Sequence, residues 1–442
     1  MPNNIKIYPQ AIEAERAVLC SILLDNAVMA DVLEGVKPED FFDKRNCILF
    51  KAMVRLYEQG NPVDVVTLTN KLKEEGILDE AGGYAYCLQL PDILPTASNA
   101  SYYAEIIRKK SVLRKLIDVC TTISTICYSE PENVEETVDL AQEKIFDVSE
   151  ERLSSGFVAL PDTTEETAQY LQMISQGKLS YTGIPSGFTD LDKHTGGFQK
   201  ADLIIVAGRP SMGKTAFVLN VAINAASTGQ AVAVFSLEMS VKQLVLRVLS
   251  SVSGVDGYHL RTGYIKKGEW DKLANAFSSL ENLPIYIDDT PMLSVLDVRA
   301  RARKIKLEKN VSLIIIDYLQ LIRGMRMESR VQEITEISRS LKILAKELNI
   351  PVIAVSQLNR GVETRDNKMP ILADLRESGA IEQDADVILF IYRDEIYNEK
   401  TEEKNIARVK IGKQRNGPAG MTIKLSFFSD TMTFKDLAKG VA

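Results

Sequence analysis

The pattern of hydrophobic positions divides the chain into a helical part and a part in which strands and helices alternate. Residues 11–151 carry apolar residues at helical spacing, and in residues 11–24 they lie largely on one face. Helices are predicted at residues 11–24, 46–59, 65–75, 98–128 and 134–149. We therefore predict a small all-α N-terminal domain with a helical hairpin at residues 1–151, whose default role is packing or partner binding.

The character of the sequence changes between residues 150 and 183. Ser154-Ser155-Gly156 is typical of a loop, and residues 161–166 have the composition of a helix start. A short helix is predicted at residues 164–175, and an isolated helix of this length is marginal in water. We therefore predict residues 152–182 to be a linker whose helix docks either on its own chain or on a neighbour.

From residue 184 onward, continuous apolar strands alternate with helices. The strands are predicted at residues 203–207, 231–236, 285–287, 313–316, 352–355 and 387–391, and the helices at 216–227, 241–253, 267–280, 296–309 and 331–348. This alternation indicates an α/β domain at residues 183–442 with a mainly parallel sheet that is covered on both faces. Ligands bind such sheets at the carboxyl ends of the strands, and there we expect the chemistry.

A phosphate-binding loop is predicted directly after the first of these strands. The sequence GRPSMGKT has the spacing G-x-x-x-x-G-K-[ST] and comprises Gly208, Arg209, Pro210, Ser211, Met212, Gly213, Lys214 and Thr215. Backbone N–H groups of such a loop bind phosphate at the start of the next helix. Lys214 is expected to reach the β and γ phosphates, and Thr215 to bind Mg²⁺. The alternative is a glycine-rich turn between a strand and a helix.

Two acidic residues follow strands of the same sheet. Asp317 ends the apolar run 313–316, which predicts a carboxylate that orients Mg²⁺. Many ATPases place a glutamate next, but Tyr318 stands there. Glu238, after the strand at residues 231–236, is therefore the candidate to polarise the attacking water. Its alternative role is that of an acid at the start of the helix that Ser240 opens.

Gln357 follows another predicted strand, at residues 352–355. Its amide could hydrogen-bond a γ-phosphate and lose that bond after hydrolysis. Residues 358–380 then form a stretch that is too long for an ordinary connection, so we expect it to be functional. A phosphate sensor joined to such a loop could move a bound polymer.

Near the C-terminus, residues 406–411 and 420–428 predict two strands joined by a turn at Asn416-Gly417. Lys413 and Arg415 are two residues apart in extended chain and project to the same side. They are either solubilising cations or a pair that stabilises charge in a neighbouring active site. The second interpretation implies a ring of subunits, since the sequence shows no obvious arginine finger within the chain.

Cations near the same sheet edge suggest a path for a nucleic-acid backbone. They are Arg323, Arg326, Arg330, Arg360, Arg365, Lys368 and Arg376. No aromatic residues interleave with them, so backbone tracking is favoured over base stacking. The alternative is solvated loop charge.

Composition limits the class of protein. The chain has 442 residues, of which 45% are hydrophobic and 26% charged, and its net charge of −7 argues against wholesale coating of DNA. No apolar run reaches the ~18 residues of a membrane span, and no signal peptide is recognisable, so we expect a cytoplasmic protein without membrane contact. The two histidines leave little room for histidine-based metal sites. The five cysteines, Cys20, Cys47, Cys87, Cys120 and Cys127, are interpreted as core residues of a reduced domain.

Several motifs in order resemble those of the DnaB family of replicative DNA helicases, bacterial or bacteriophage. They are GIPSGFTDLDKHTGGF, GRPSMGKT, FSLEMS, LIIIDYLQL, VSQLNR, DLRESGAIEQDAD and KQRNGPAG. The resemblance implies a RecA-like P-loop ATPase core and a hexameric ring that uses ATP and Mg²⁺ to move 5′→3′ on single-stranded DNA. It also implies an N-terminal collar that contacts primase, a helicase loader as partner, and a linker helix docked on the adjacent subunit.

The resemblance also assigns roles by position. Lys214 and Thr215 act at the phosphates and the metal, Glu238 is the catalytic base, Asp317 orients Mg²⁺, Gln357 senses nucleotide, Lys413 and Arg415 reach the neighbouring site, and Arg376, Glu377 and Gly379 contact DNA. Ser186 stands where relatives commonly have threonine.

The alternatives to a replicative helicase are a RecA-like strand-exchange or repair ATPase, which predicts a different N-terminal module, and a nucleotide-switched hexameric scaffold, which the intact Glu238 and Arg415 disfavour. A fused primase–helicase is disfavoured by the lack of a zinc-type cysteine cluster.

Overall fold

The computed structural model describes residues 8–131, 182–324, 329–398 and 400–437, and scattered positions between 134 and 172. Of residues 376–379 it describes the backbone alone. Of the predicted helices at 134–149 and 164–175 and of the predicted linker 152–182, only scattered positions are described, and the rest lies outside the described residues. By its internal contacts the chain divides into two units, Met1–Asp162 and Thr163–Ala442. The division into three parts stays a prediction.

The described part of the first unit is helical, as the sequence predicts. Its α-helices are α1 (Ile12–Leu24), α2 (Met29–Gly35), α3 (Lys44–Glu58), α4 (Val65–Glu74), α5 (Gly83–Gln89) and α6 (Ala100–Tyr128). The sequence analysis missed the two seven-residue helices, α2 and α5. Asp43 and Asp64 accept hydrogen bonds from backbone N–H groups in the first turns of α3 and α4, which is why those helices begin there. Large apolar residues such as Leu19, Phe50 and Met53 form the core.

The interpretation of all five cysteines as core residues is wrong for two of them. Cys20 and Cys87 are buried and Cys47 is half-buried, but Cys120 and Cys127 are exposed on α6. The buried residues of this 29-residue helix all lie between Ala100 and Arg114, the part that packs on the other helices. Cys120 and Cys127 follow this packed part of the helix.

The second unit contains a sheet of nine strands within its described residues. The strands are β1 (Leu203–Gly208), β2 (Val232–Ser236), β3 (Ile285–Asp288), β4 (Leu313–Asp317), β5 (Val352–Gln357), β6 (Val387–Tyr392), β7 (Ile406–Gln414), β8 (Thr422–Phe428) and β9 (Thr433–Asp436). Their order across the sheet is β3-β2-β4-β5-β1-β6-β7-β8-β9. The first six strands in this order, β3, β2, β4, β5, β1 and β6, pair in parallel. Strands β7, β8 and β9 follow at one edge and pair antiparallel.

Helices cover both faces of this sheet. The α-helices described in this unit are α7 (Thr189–Thr195), α8 (Lys214–Ser227), α9 (Val241–Ser253), α10 (Gly257–Thr262), α11 (Glu269–Leu280), α12 (Val295–Lys309), α13 (Arg330–Leu348) and α14 (Gly379–Asp384), and all but α10 and α11 contribute to the two cores that flank the sheet. Along β1, Ile204 and Val206 join the core that contains α8, whereas Leu203, Ile205 and Ala207 join the core that contains α12 and α13. Burial on both faces explains the unbroken apolar runs, and the predicted α/β core with a mainly parallel sheet is confirmed.

The structure departs from the prediction near the sheet's antiparallel edge. Strand β7 runs to Gln414 rather than to residue 411, so Lys413 lies within it, and β8 begins at Thr422. Strand β9 and the short helices α7, α10 and α14 were missed. Residues 358–380 contain two 3₁₀ helices, Arg360–Thr364 and Leu372–Ser378, before α14 begins. In the described part of the chain, no helix has the length and apolar character needed to cross a membrane.

Candidate active site

The connection from β1 to α8 has the geometry of a phosphate loop. Gly213 caps α8 with φ of +95°, and a Cβ atom there would lie 3.1 Å from the Phe434 ring. Glycine is therefore required at this position. The start of α8 opens on a cavity of about 430 Å³, lined by Pro210, Ser211, Gly213, Lys214, Thr215, Ala216, Glu238, Arg247, Asp317, Tyr318, Gln357, Arg393, Phe427, Ser429 and Met432. One cavity thus collects most of the side chains that the sequence placed at strand ends.

Thr215 and Asp317 meet at the floor of this cavity. The Thr215 hydroxyl donates a hydrogen bond of 2.7 Å to Asp317 Oδ2. Burial raises the pKa of Asp317, and nearby Glu238 raises it further, whereas the hydrogen bond from Thr215 and the charges of Lys214 and Arg247 lower it. A buried carboxylate with a hydroxyl beside it is a donor set that a hard divalent cation prefers.

Lys214 is a largely desolvated cation at the same place. Its ammonium donates a hydrogen bond of 3.1 Å to the carbonyl oxygen of Arg209. Burial lowers the pKa of Lys214 to about 8, although Asp317 and Glu238 oppose this shift. A desolvated ammonium gains more from a phosphate than an exposed one does, because the surrounding dielectric is low.

Glu238 reaches the cavity from the end of β2. Ser236 pairs with Asp317 across the sheet, and Leu237 N donates to the Asp317 carbonyl at 2.8 Å, which brings Glu238 beside the Asp317 strand. The helix-start role is filled by others, since Ser240 and Gln243 form the capping box of α9. The Glu238 side chain is exposed to the cavity and lies near Lys214 and Asp317.

Gln357 lines the same cavity from the end of β5, where it pairs with Gly208 of β1. Its backbone is held by Gln320, whose amide donates to the Gln357 carbonyl at 3.2 Å and accepts from the Gln357 N–H at 3.3 Å. Gln320 also donates to the Ser356 hydroxyl at 2.9 Å. The sequence analysis assigned no role to Gln320, although this residue lies within the motif LIIIDYLQL.

Two arginines of the same chain reach the cavity, and the sequence analysis missed both. Arg247 projects from the middle of α9, where burial lowers the pKa of its guanidinium while Asp317 and Glu238 raise it. Arg393 directly follows β6, lies 4.1 Å from the centre of the Phe427 ring and donates to the Ser211 carbonyl at 3.2 Å. The strand-end rule could have found Arg393, but nothing in the sequence marks Arg247.

Three residues of the predicted phosphate loop do not line the cavity. Gly208 lies within β1, and Met212 is buried with its sulfur accepting from Arg393 N at 3.3 Å. The Arg209 side chain turns away, because it donates to Glu363 at 2.8 Å and to the Leu358 carbonyl at 2.8 Å.

Lys413 and Arg415 do not reach the cavity of their own chain. Both donate to the carbonyl of Gln383 at the end of α14, at 3.3 Å and 2.6 Å, so they project to the same side as predicted. Arg415 also pairs with the buried Asp386 at 3.3 Å.

The predicted DNA contacts are partly outside the described residues. The side chains of Arg376 and Glu377 and all of Arg326 lie outside the described residues, and Gly379 is described by its backbone. Among the other predicted path cations, Arg330 pairs with Glu333 and Arg365 pairs with Asp374 at 2.6 Å. Those two cations are therefore partly neutralised within the chain.

Comparison with known proteins places this chain in a family. The model of the DnaB-like helicase C-terminal domain matches residues 183–436, and that of the DnaB-like helicase N-terminal domain matches residues 7–109. The chain is 48% identical over 437 residues to the replicative DNA helicase DnaB of Geobacillus stearothermophilus, covering 98% of this chain and 96% of that one. It is 45% identical over 439 residues to the replicative DNA helicase DnaC of Bacillus subtilis, covering 99% and 96%.

Solved structures agree with the sequence matches. A DnaB-like replicative helicase, solved with attention to its interactions with primase, aligns with a TM-score of 0.70 at 32% identity and covers 97% of this chain and 100% of that one. A second solved structure, which is an ATPase domain, aligns with a TM-score of 0.60 at 38% identity, over 62% of this chain and 99% of that one. The chain therefore belongs to the DnaB family of replicative DNA helicases.

Proposed function

We propose that this chain forms a ring-shaped motor that couples ATP hydrolysis to 5′→3′ movement on single-stranded DNA and so unwinds the duplex at a replication fork. One observation carries the proposal: a single cavity collects the phosphate loop, the Thr215–Asp317 pair, Glu238 and Gln357. Membership of a helicase family supports DNA as the polymer on which the motor acts, since helicases act on nucleic acid.

ATP and Mg²⁺ fit the side chains of this cavity. The backbone N–H groups of the phosphate loop and Lys214 would hold the phosphates, and the oxygens of Thr215 and Asp317 would hold the metal. The Mg²⁺ ion supplies neutralisation of phosphate charge. Glu238 orients and deprotonates the attacking water, and Gln357 reports whether the γ-phosphate is present.

Arg247 and Arg393 supply positive charge from the same chain. Burial lowers the pKa of Arg247, which lies near both Asp317 and Glu238. We assign Arg247 to stabilising charge that develops on the phosphates. Arg393 lies over Phe427 beside the Ser211 carbonyl and holds the outer wall of the cavity.

The second source of positive charge is a neighbouring subunit. Lys413 and Arg415 lie outside their own cavity and share the Gln383 carbonyl as an acceptor. Cations that act on phosphoryl transfer in trans are worth orders of magnitude in rate. We therefore propose a homo-hexamer in which this pair completes the adjacent site and the linker helix at 164–175 docks between subunits.

The DNA contacts are assigned to Arg376, Glu377 and Gly379, which follow Gln357 along the chain. Gly379 would act through its backbone N–H, which binds phosphate without charge. We further propose that the N-terminal domain forms a collar that contacts primase, that a separate loader places the ring on DNA, and that the protein works with Mg²⁺ in the cytoplasm, where it meets replicating DNA.

A polarity experiment tests this function. Two forked duplexes, one in which only the 5′ arm is single-stranded and one in which only the 3′ arm is single-stranded, are incubated with the protein and ATP. Unwinding of the 5′-tailed substrate alone supports the proposal. Strand exchange without unwinding favours the repair alternative, and ATP hydrolysis that opens neither substrate, even with partner proteins, favours the scaffold.

A further inference from the structure

The phosphate loop is tied to the segment after Gln357 by the side chain of Arg209. This residue is 7% exposed, and its guanidinium pairs with Glu363 Oε1 at 2.8 Å. It also donates to the Leu358 carbonyl at 2.8 Å. Leu358 N in turn donates to the Gly208 carbonyl at 3.4 Å. The two segments are therefore joined by both side-chain and backbone contacts.

Tyr397 provides a second tie to the same segment. Burial and the Glu363 carboxylate raise the pKa of the Tyr397 hydroxyl, whereas Arg209 lowers it, so all three groups lie close together. The ammonium of Lys368 lies 4.7 Å from the centre of the Tyr397 ring. We call Arg209, Glu363 and Tyr397 the Arg209 cluster.

The segment that this cluster holds is connected by hydrogen bonds as far as the predicted DNA contacts. Asn359 N donates to the Asp374 carbonyl at 3.1 Å, and Ile371 N donates to the Asp374 carboxylate at 2.8 Å. Arg365 pairs with the same carboxylate at 2.6 Å. Asp374 is two residues before Arg376. A displacement of residues 358–363 would therefore be carried to the proposed DNA-contacting residues.

The backbone of Arg209 also contacts a residue that is expected to bind the nucleotide. The Lys214 ammonium donates to the carbonyl of Arg209 at 3.1 Å. A phosphate that attracts Lys214 competes with this carbonyl, so binding or loss of phosphate changes the contacts of Arg209 itself. Two sites are coupled when an element between them has different contacts in their liganded and unliganded states.

We propose that the Arg209 cluster transmits nucleotide state to the DNA-contacting segment of the same chain, and DNA binding back to the phosphate loop. The inference rests on the proposed function and deepens it. Arg209 thus acts through its side chain as a positioning residue rather than as a phosphate ligand, and Glu363 and Tyr397 are its partners. By reciprocity, DNA changes the affinity for nucleotide through the same contacts that let nucleotide change the affinity for DNA, and we expect DNA to stimulate ATP turnover through these contacts as well.

The test compares ATP turnover with and without single-stranded DNA in Glu363→Gln and Tyr397→Phe. Glu363 is partly exposed and glutamine has its shape, so folding is retained. We expect Glu363→Gln to keep the DNA-free turnover and to lower the ratio of DNA-stimulated to DNA-free turnover at least about five-fold, since allosteric coupling typically reaches roughly 5–150-fold. Tyr397→Phe should lower the same ratio, and Glu363→Asp should restore part of it.

Glu75→Gln is the matched control, because its carboxylate also pairs with an arginine, Arg55 at 2.7 Å, among the helices of the first unit. It should leave the ratio unchanged. A ratio in Glu363→Gln equal to that of the wild type, or equal losses with and without DNA, would overturn the inference while leaving the proposed function intact. A wild-type protein that DNA does not stimulate would overturn both.

Discussion

Thr215 Oγ1 donates a hydrogen bond of 2.7 Å to Asp317 Oδ2, although the two residues are 102 positions apart in the chain. The contact joins the first turn of α8 to the last residue of β4. Because burial raises the pKa of Asp317, its charge is costly without a cationic partner. A divalent ion at this pair would offset that cost.

Asp317→Asn should therefore remove Mg²⁺-dependent hydrolysis more than nucleotide binding. We expect ATP turnover to fall by about 10²–10³-fold, as for loss of other groups that stabilise transition-state charge. Nucleotide affinity measured in the absence of Mg²⁺ should change little, since the phosphate loop remains. The exposed Asp190→Asn serves as the control. Equal losses of metal-free binding and turnover would argue against a metal role for Asp317.

The pKa of Lys214, about 8, predicts a pH dependence of nucleotide binding. Only the protonated ammonium attracts phosphate, so above about pH 8 binding requires uptake of a proton. The dissociation constant for ATP should then rise with pH, approaching about tenfold per pH unit. With an ordinary lysine it would stay constant up to about pH 10. Titration between roughly pH 7 and pH 9.5 measures this, because that range spans the shifted pKa and stops below the usual one. A constant affinity across that range would contradict the low pKa, and Lys214→Arg should bind with little pH dependence.

Arg247→Gln should lower the turnover number and leave ATP affinity nearly unchanged, because the charge that Arg247 faces develops during hydrolysis. A loss of about 10²-fold is expected from removal of one such group. Lys242→Gln, on the exposed face of the same helix, is the control. Steady-state kinetics with direct binding separates the two effects. A variant with weakened ATP binding and a normal turnover number would show that Arg247 binds the nucleotide and does not stabilise the transition state.

Arg415→Ala should abolish ATP turnover while sparing ATP binding, since its guanidinium lies outside the cavity of its own chain. Mixing it with Lys214→Ala tests action in trans. Some mixed rings contain an interface with an intact phosphate loop and an intact Arg415, so turnover should partly return. Normal hydrolysis by Arg415→Ala alone would refute its role as a finger.

The sheet and the residues at its strand ends could be predicted because each leaves a local signal. The apolar run before Asp317 and the glycine spacing before Lys214 identify positions without any knowledge of packing. Strand β9 carries a single apolar residue, Phe434, and α10 has only six residues, so neither shows a recognisable hydrophobic period.

The directions in which side chains point could not be predicted from the sequence. The motif places Arg209 in the phosphate loop, but only the folded chain shows that Glu363, 154 positions away, turns its guanidinium from the cavity. Arg247 lies within an amphipathic helix, where a cation ordinarily faces solvent. Its place beside Asp317 and Glu238 depends on how α9 packs, which no local pattern records.

The most direct test of the central claim is ATP-dependent unwinding of a forked duplex with a 5′ tail by wild type and by Glu238→Gln. The account predicts that the wild type unwinds, and that Glu238→Gln binds ATP and single-stranded DNA but opens no duplex, because its water is no longer activated. Unwinding by Glu238→Gln at the wild-type rate would remove Glu238 from catalysis. A wild type that hydrolyses ATP yet opens no fork, even with partner proteins, would contradict the motor itself.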